Sequence, residues 1–123
     1  MASNNHNHNN RVSILIVDDH EVVRNGIRSY LETVTQFNVV GEAASGEEAV
    51  VLARDLRPDL VLMDVRLPGI SGPDATRQIL AENPHTRVIL VSTYEAADLP
   101  DQDTCGAIGF LRKQDLDAGA LLA

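Results

Sequence analysis

This chain of 123 residues has no tryptophan, two phenylalanines, two tyrosines, one cysteine and one lysine. A single cysteine, Cys105, excludes an internal disulfide and makes a reducing cytoplasm the expected setting. Positive charge is scarce as well. Ten Lys and Arg stand against 18 Asp and Glu, for a formal net charge of -8. Gripping nucleic acid takes a basic face that meets phosphates, so direct contact with nucleic acid is not expected. No apolar run approaches the ~20 residues that a membrane span requires. Residues 1–10 lack the apolar stretch of a signal peptide. They are polar, rich in Asn and His, and read as a disordered, solvated tail. His6 and His8 belong to that tail rather than to a metal site.

What the chain does have is alternation. Short apolar runs, bounded by turn formers, predict strands over Val12–Val17, Phe37–Ala43, from Leu60, from Val88, and over 107–111. Between them the apolar period changes to that of a helix. A first helix is expected over 21–34, with Val22, Val23, Ile27, Tyr30, Leu31 and Val34 on its apolar side. A second begins at Ser45, with Glu48 three residues on as in a capping box. It carries Val50, Leu52, Ala53 and Leu56, and stops before Pro58. A third runs from residue 72 or 73 to 83 around Ala75, Ile79 and Leu80. The stretch 94–106 contains Pro100 and four acids with few apolar residues, and reads at most as a short helix. A last helix is expected from Leu116, capped by Asp115 and carrying Leu121 and Leu122. The folded domain would thus span 11–123, with no repeat and no linker.

Five strands alternating with helices imply an α/β fold, a parallel sheet covered on both faces. In such a sheet the working crevice lies outside the carboxyl ends of the strands. Those ends are where the chemistry-bearing residues fall. Ile14-Leu15-Ile16-Val17 runs into Asp18-Asp19, Leu60-Val61-Leu62-Met63 into Asp64, Val88-Ile89-Leu90-Val91 into Ser92, and the last run into Lys113. Taken singly each has an ordinary reading: an Asp after a strand caps a helix, a hydroxyl there is common, and a lysine sits on the surface. All five at equivalent ends of four strands point to one site.

Three carboxylates brought together repel, and a hard divalent cation is their expected neutraliser. Mg²⁺ suits a site of carboxylates, waters and a substrate phosphate. A carboxylate held there can attack phosphorus and form an acyl phosphate, with a lysine ammonium to neutralise the incoming oxygens.

These segments together resemble the receiver domain of bacterial two-component response regulators, over about 11–123. The resemblance rests on Ile14-Leu15-Ile16-Val17-Asp18-Asp19-His20, Met63-Asp64-Val65-Arg66-Leu67-Pro68-Gly69, Ile89-Leu90-Val91-Ser92 and Gly109-Phe110-Leu111-Arg112-Lys113. The opening Val17-Asp18-Asp19-His20-Glu21-Val22-Val23-Arg24 also resembles the NarL/LuxR subfamily. The resemblance implies a flavodoxin-like (βα)5 fold with strand order 2-1-3-4-5. It implies that Asp64 is the phosphoacceptor and that Asp19 binds Mg²⁺ directly, Asp18 largely through water and Arg66 through its backbone carbonyl. Lys113 would contact the phosphoryl group. Ser92 would be the switching hydroxyl, and Phe110 the aromatic that turns inward with it. The implied partners are a cognate histidine kinase, a second copy on phosphorylation, and DNA only through a C-terminal domain outside this chain. Arg66 and Tyr94, each two residues past a site residue, are candidates to screen the acyl phosphate from water.

Two other readings stay open. One is a stand-alone receiver acting by protein contact. The other is a Mg²⁺-dependent phosphohydrolase with an aspartyl-phosphate intermediate. Such enzymes place Asp-x-Asp after the first strand, where this chain has Asp18-Asp19-His20.

Overall fold

A computed structural model describes residues 11–92, 105–117 and 119. The apolar runs become one sheet of five strands: β1 (Val12–Val17), β2 (Phe37–Ala43), β3 (Leu60–Asp64), β4 (Arg87–Ser92) and β5 (Gly109–Arg112). Every pairing is parallel and the order is β2-β1-β3-β4-β5. Three helices link the first four strands: α1 (Glu21–Leu31), α2 (Gly46–Leu56) and α3 (Gly72–Glu82). The tail at 1–10, most of the acidic stretch 94–106, and Leu121 and Leu122 lie outside the described residues.

Side chains on a strand alternate between faces, and here both faces are covered. Leu15, Val17, Val61, Met63, Val88 and Leu90 pack with Ala49, Val50 and Ala53 of α2 and Ala75 and Ile79 of α3. Ile14, Ile16, Leu60, Leu62, Ile89 and Val91 pack with Phe37 and with Leu31 of α1. Burial on two sides is why the central strands read as continuous apolar runs rather than as alternating ones.

The helix signals hold with adjustments. Ser45 Oγ accepts from the Glu48 N–H at 3.1 Å, and Glu48 Oε1 accepts from the Ala44 N–H at 2.8 Å, closing a capping box. Arg57 ends α2 in the left-handed region (φ 49°), just before Pro58. Ser71 caps α3 by accepting from the Asp74 N–H at 3.1 Å, with Pro73 in the first turn. Helix α1 is shorter than expected. It ends at Leu31, and Thr33 and Val34 turn back by donating to Tyr30 and Leu31 carbonyls. Its buried side is also narrower. Val22 is 82% exposed and Tyr30 37%, because one residue along a helix rotates a side chain by about 100° away from the stripe Val23, Ile27, Leu31.

Two boundaries at the C-terminal end move. Strand β5 begins at Gly109 rather than 107. Ile108 donates its N–H to Val88 O at 2.8 Å yet leaves its side chain 61% exposed. Lys113–Asp115 form a 3₁₀ turn and Leu116 is extended, so no helix begins at Leu116.

The β1–β2 ladder carries an irregularity. Ile14 pairs with Val39 but Leu15 pairs with Gly41, which leaves Val40 as an extra residue in the edge strand.

Candidate functional site

Parallel strands end on the same edge, so the residues after β1, β3, β4 and β5 meet. Asp19, His20, Val23, Asp64, Arg66, Ser92 and Lys113 line one cleft of about 410 Å³. Asp18 lies behind that lining, only 1% exposed. Four of the five residues expected at the strand ends thus face the cleft, and the fifth lies directly behind it.

The loop from β3 into α3 is set by glycine at two points. Gly69 has φ +76°, and a Cβ there would lie 2.5 Å from a Glu47 carboxylate oxygen. That carboxylate accepts the Ile70 N–H at 3.0 Å and ties the loop to α2. A Cβ on Gly72 would sit 2.2 Å from the Asp64 carbonyl oxygen, so only glycine lets α3 start this close to β3. The Arg66 N–H reaches Asp64 Oδ1 at 3.4 Å, a long contact.

Asp18 is held on every side. Its Oδ1 accepts the His20 N–H at 2.8 Å, and its Oδ2 accepts from Lys113 Nζ at 2.5 Å. Lys113 Nζ also stands 3.6 Å from Asp64 Oδ2. One ammonium therefore serves two carboxylates, with Asp19 close by. The imbalance shows in Asp64, whose carboxyl is pushed up to about 6, by burial first and then by the charge of Asp18, against the opposing pull of Lys113.

A carboxylate-rich donor set with more negative charge than its lysine can offset fits a hard divalent cation. Asp18, Asp19 and His20 bring their ligand atoms within 4.8 Å of one another. His20 was not anticipated from the sequence. Its Nδ1 lies 3.1 Å from Asp19 Oδ1 and 3.3 Å from Asp18 Oδ1. Its place directly after the acidic pair, as the N-cap of α1, was the available signal.

Ser92 ends β4 with 2% exposure. Phe110 of β5 pairs with Leu90 of β4 and packs, partly buried, against the α2–α3 side of the sheet. Tyr94 lies outside the described residues.

A family model described as the response regulator receiver domain matches residues 14–122. The response regulator GacA of Pseudomonas viridiflava is 44% identical over 103 residues, which is 83% of this chain and 48% of that protein. The response regulator protein VraR of Staphylococcus aureus is 46% identical over 83 residues, 68% of this chain and 40% of that protein. The chain therefore spans about half the length of the curated relatives it matches. Among solved structures, the receiver domain of the response regulator NarL from Mycobacterium tuberculosis superposes with a TM-score of 0.83 at 34% identity, covering 91% of this chain and 94% of that one. A LuxR-family two-component response regulator from an Aurantimonas species gives 0.81 at 35% identity, over 91% and 80%. Sheet order, crevice and relatives agree, and the chain belongs to the response regulator receiver domain family of two-component signalling.

Proposed function

We propose that Asp64 accepts a phosphoryl group and that its charge state sets the conformation of this receiver. The observation that carries this reading is the placement of Asp64 at the carboxyl end of β3, lining the cleft, with Lys113 Nζ 3.6 Å from its Oδ2. An Asp64 oxygen attacks phosphorus in line, the bond from phosphorus to the donor breaks, and the donor leaves with the electron pair. The physiological donor is a histidine kinase, and a small acyl phosphate serves in vitro. Asp19 and Asp64 would hold Mg²⁺ directly, Asp18 largely through water, and Arg66 with its main-chain carbonyl. Mg²⁺, when bound, supplies positive charge against the transferring oxygens.

Lys113 then neutralises one phosphoryl oxygen and Ser92 donates a hydrogen bond to another. The new group brings about -1.5 to -2 charge and three strong acceptors. It draws Ser92 and the loop after β4 inward, Phe110 turns into the space left, and a two-state element is biased. The output is regulation of transcription through a DNA-binding domain joined to this one, with pairing of two receivers on phosphorylation. The greater length of the GacA and VraR proteins supports that arrangement. A cytoplasmic location goes with this reading. Among the described residues no helix is long and apolar enough to cross a membrane.

The test is intact mass after incubation with acetyl phosphate and Mg²⁺, beside an Asp64→Asn control. One phosphoryl gain, lost in the control and labile to hydroxylamine, is expected. A gain that persists in Asp64→Asn would sink the assignment.

A further inference from the structure

The extra residue in β2 has a directional effect. Paired residues in neighbouring strands point to the same face, and a one-residue slip moves a side chain to the other. Without Val40 as the extra residue, Glu42 would pair with Val17, on the α2–α3 face. With it, Glu42 pairs with Ile16, on the α1 face. Two arginines of α1 meet it there. Glu42 Oε1 accepts from Arg24 Nε at 3.0 Å, and Oε2 accepts from Arg28 Nε. Burial pushes the Glu42 carboxyl up, but hydrogen bonds from Arg28 and Arg24 outweigh it and hold the group below the ordinary carboxylate value.

Arg24 does something that Arg28 does not. Its Nη1 donates to the main-chain carbonyl of Asp18 at 2.6 Å. Helix α1 leaves that carbonyl over, because its first backbone bond runs from the Arg24 N–H to His20 O. The Asp18 N–H is taken by Ala43 O at 3.0 Å. Both main-chain groups of Asp18 are therefore fastened to β2, one directly and one through Arg24 and Glu42. The Asp18 carbonyl and the Asp19 N–H share a rigid peptide plane, so fixing one fixes where the Asp19 side chain departs. The planar guanidinium can donate to a carboxylate and a carbonyl in two fixed directions at once.

We propose that Arg24, aimed by the Val40 bulge and anchored on Glu42, is a positioning residue that sets the Asp18–Asp19 peptide for divalent-cation binding. The inference rests on the reading of Asp18, Asp19 and Asp64 as a cation site. It makes a distinction between two neighbouring arginines. Both pair with Glu42, but only Arg24 reaches the metal-site backbone.

The experiment measures Mn²⁺ binding by electron paramagnetic resonance on the whole chain, alongside melting temperature, for wild type, Arg24→Ala, Arg28→Ala and Glu42→Gln. Phosphoryl uptake from acetyl phosphate is followed across a Mg²⁺ titration. Arg24→Ala is expected to weaken Mn²⁺ binding about tenfold, the scale seen when a partner behind a metal ligand is removed. Its uptake should fall at low Mg²⁺ and recover at high Mg²⁺. Arg28→Ala should lower the melting temperature yet bind Mn²⁺ within about twofold of wild type by the same standard. Glu42→Gln, which keeps the shape of the side chain, should shift Mn²⁺ binding in the same direction as Arg24→Ala and carries the test if that variant does not fold. Unchanged binding in a folded Arg24→Ala, or in Glu42→Gln, or equal weakening in Arg28→Ala, overturns the proposal. Wild-type protein that binds no Mn²⁺ would instead overturn the cation-site reading beneath it.

Discussion

Lys113 makes its shorter contact with Asp18, not with Asp64: Nζ is 2.5 Å from Asp18 Oδ2 and 3.6 Å from Asp64 Oδ2. The carboxylate that lines the cleft is thus the less well neutralised of the two, and the stability of the fold should report it.

Asp64 titrates at about 6 in the folded protein, above its unfolded value of 3.8. A carboxyl raised by folding favours the folded state at low pH. That contribution is complete below pH 3.8, falls as pH rises, and is gone above about 6. At pH 7.5 without metal, Asp64→Asn should therefore be more stable than wild type, by up to about 3 kcal/mol. The difference should be small near pH 4, vanish at lower pH, and shrink when Mg²⁺ is added. Denaturant unfolding of both proteins at the two pH values measures it, and equal midpoints at pH 7.5 would show that Asp64 is not strained by its surroundings.

Removing the ammonium should do the opposite. Lys113→Met leaves the Asp18 carboxylate, whose side chain is 2% exposed, without its cation. Loss of one partner of a buried pair costs on the order of 3 kcal/mol. Saturating Mg²⁺ should recover part of that loss, because a ligand of the folded state stabilises it. An unfolding midpoint that matches wild type in metal-free buffer would contradict the pairing.

Gly72 separates steric need from chance. Gly72→Ala must push β3 and α3 apart, since its Cβ would meet the Asp64 carbonyl at 2.2 Å. A loss of about 1–3 kcal/mol and slower phosphoryl uptake are expected. Gly109→Ala, with nothing within 4 Å of its added carbon, should change neither. Unfolding curves and the mass assay on both variants decide it, and an unaffected Gly72→Ala would remove the close approach from the account.

Ser45 is not among the residues that line the cleft and gives a control. Ser45→Ala should cost about 1 kcal/mol and leave phosphoryl uptake unchanged. A changed uptake rate would tie α2 to the site more tightly than its contacts suggest.

Much of this was legible in the sequence for a physical reason. Strands buried on both faces must be apolar throughout, so Ile14 to Val17 and Leu60 to Met63 announce themselves, and the residue that breaks each run marks the strand end where the site lies. The cap of α2 was legible too, since Ser45 and Glu48 act at short range. Other features depend on neighbours distant in sequence. Val22 and Tyr30 fall in the same helical run of apolar and aromatic residues as Ile27, and only the position of the sheet decides which of them is covered. Nothing in the spacing from Phe37 to Ala43 marks Val40 as the extra residue, so the meeting of Glu42 with Arg24 was hidden. Asp115 is a good cap and predicts a helix from Leu116, but the chain leaves Lys113 through a 3₁₀ turn instead.

The strand order has a mechanical side. Asp18 and Asp64 leave β1 and β3, which are adjacent and have a neighbour on each flank, whereas Lys113 follows β5, at the margin with β4 as its single neighbour. The two acids thus stand on the side of the cleft braced by strands with two neighbours, and the lysine on the side with one. On the reading proposed above, a change of charge in the cleft should be taken up first on the side that carries the lysine, and movement at that margin is what a partner outside the crevice would feel.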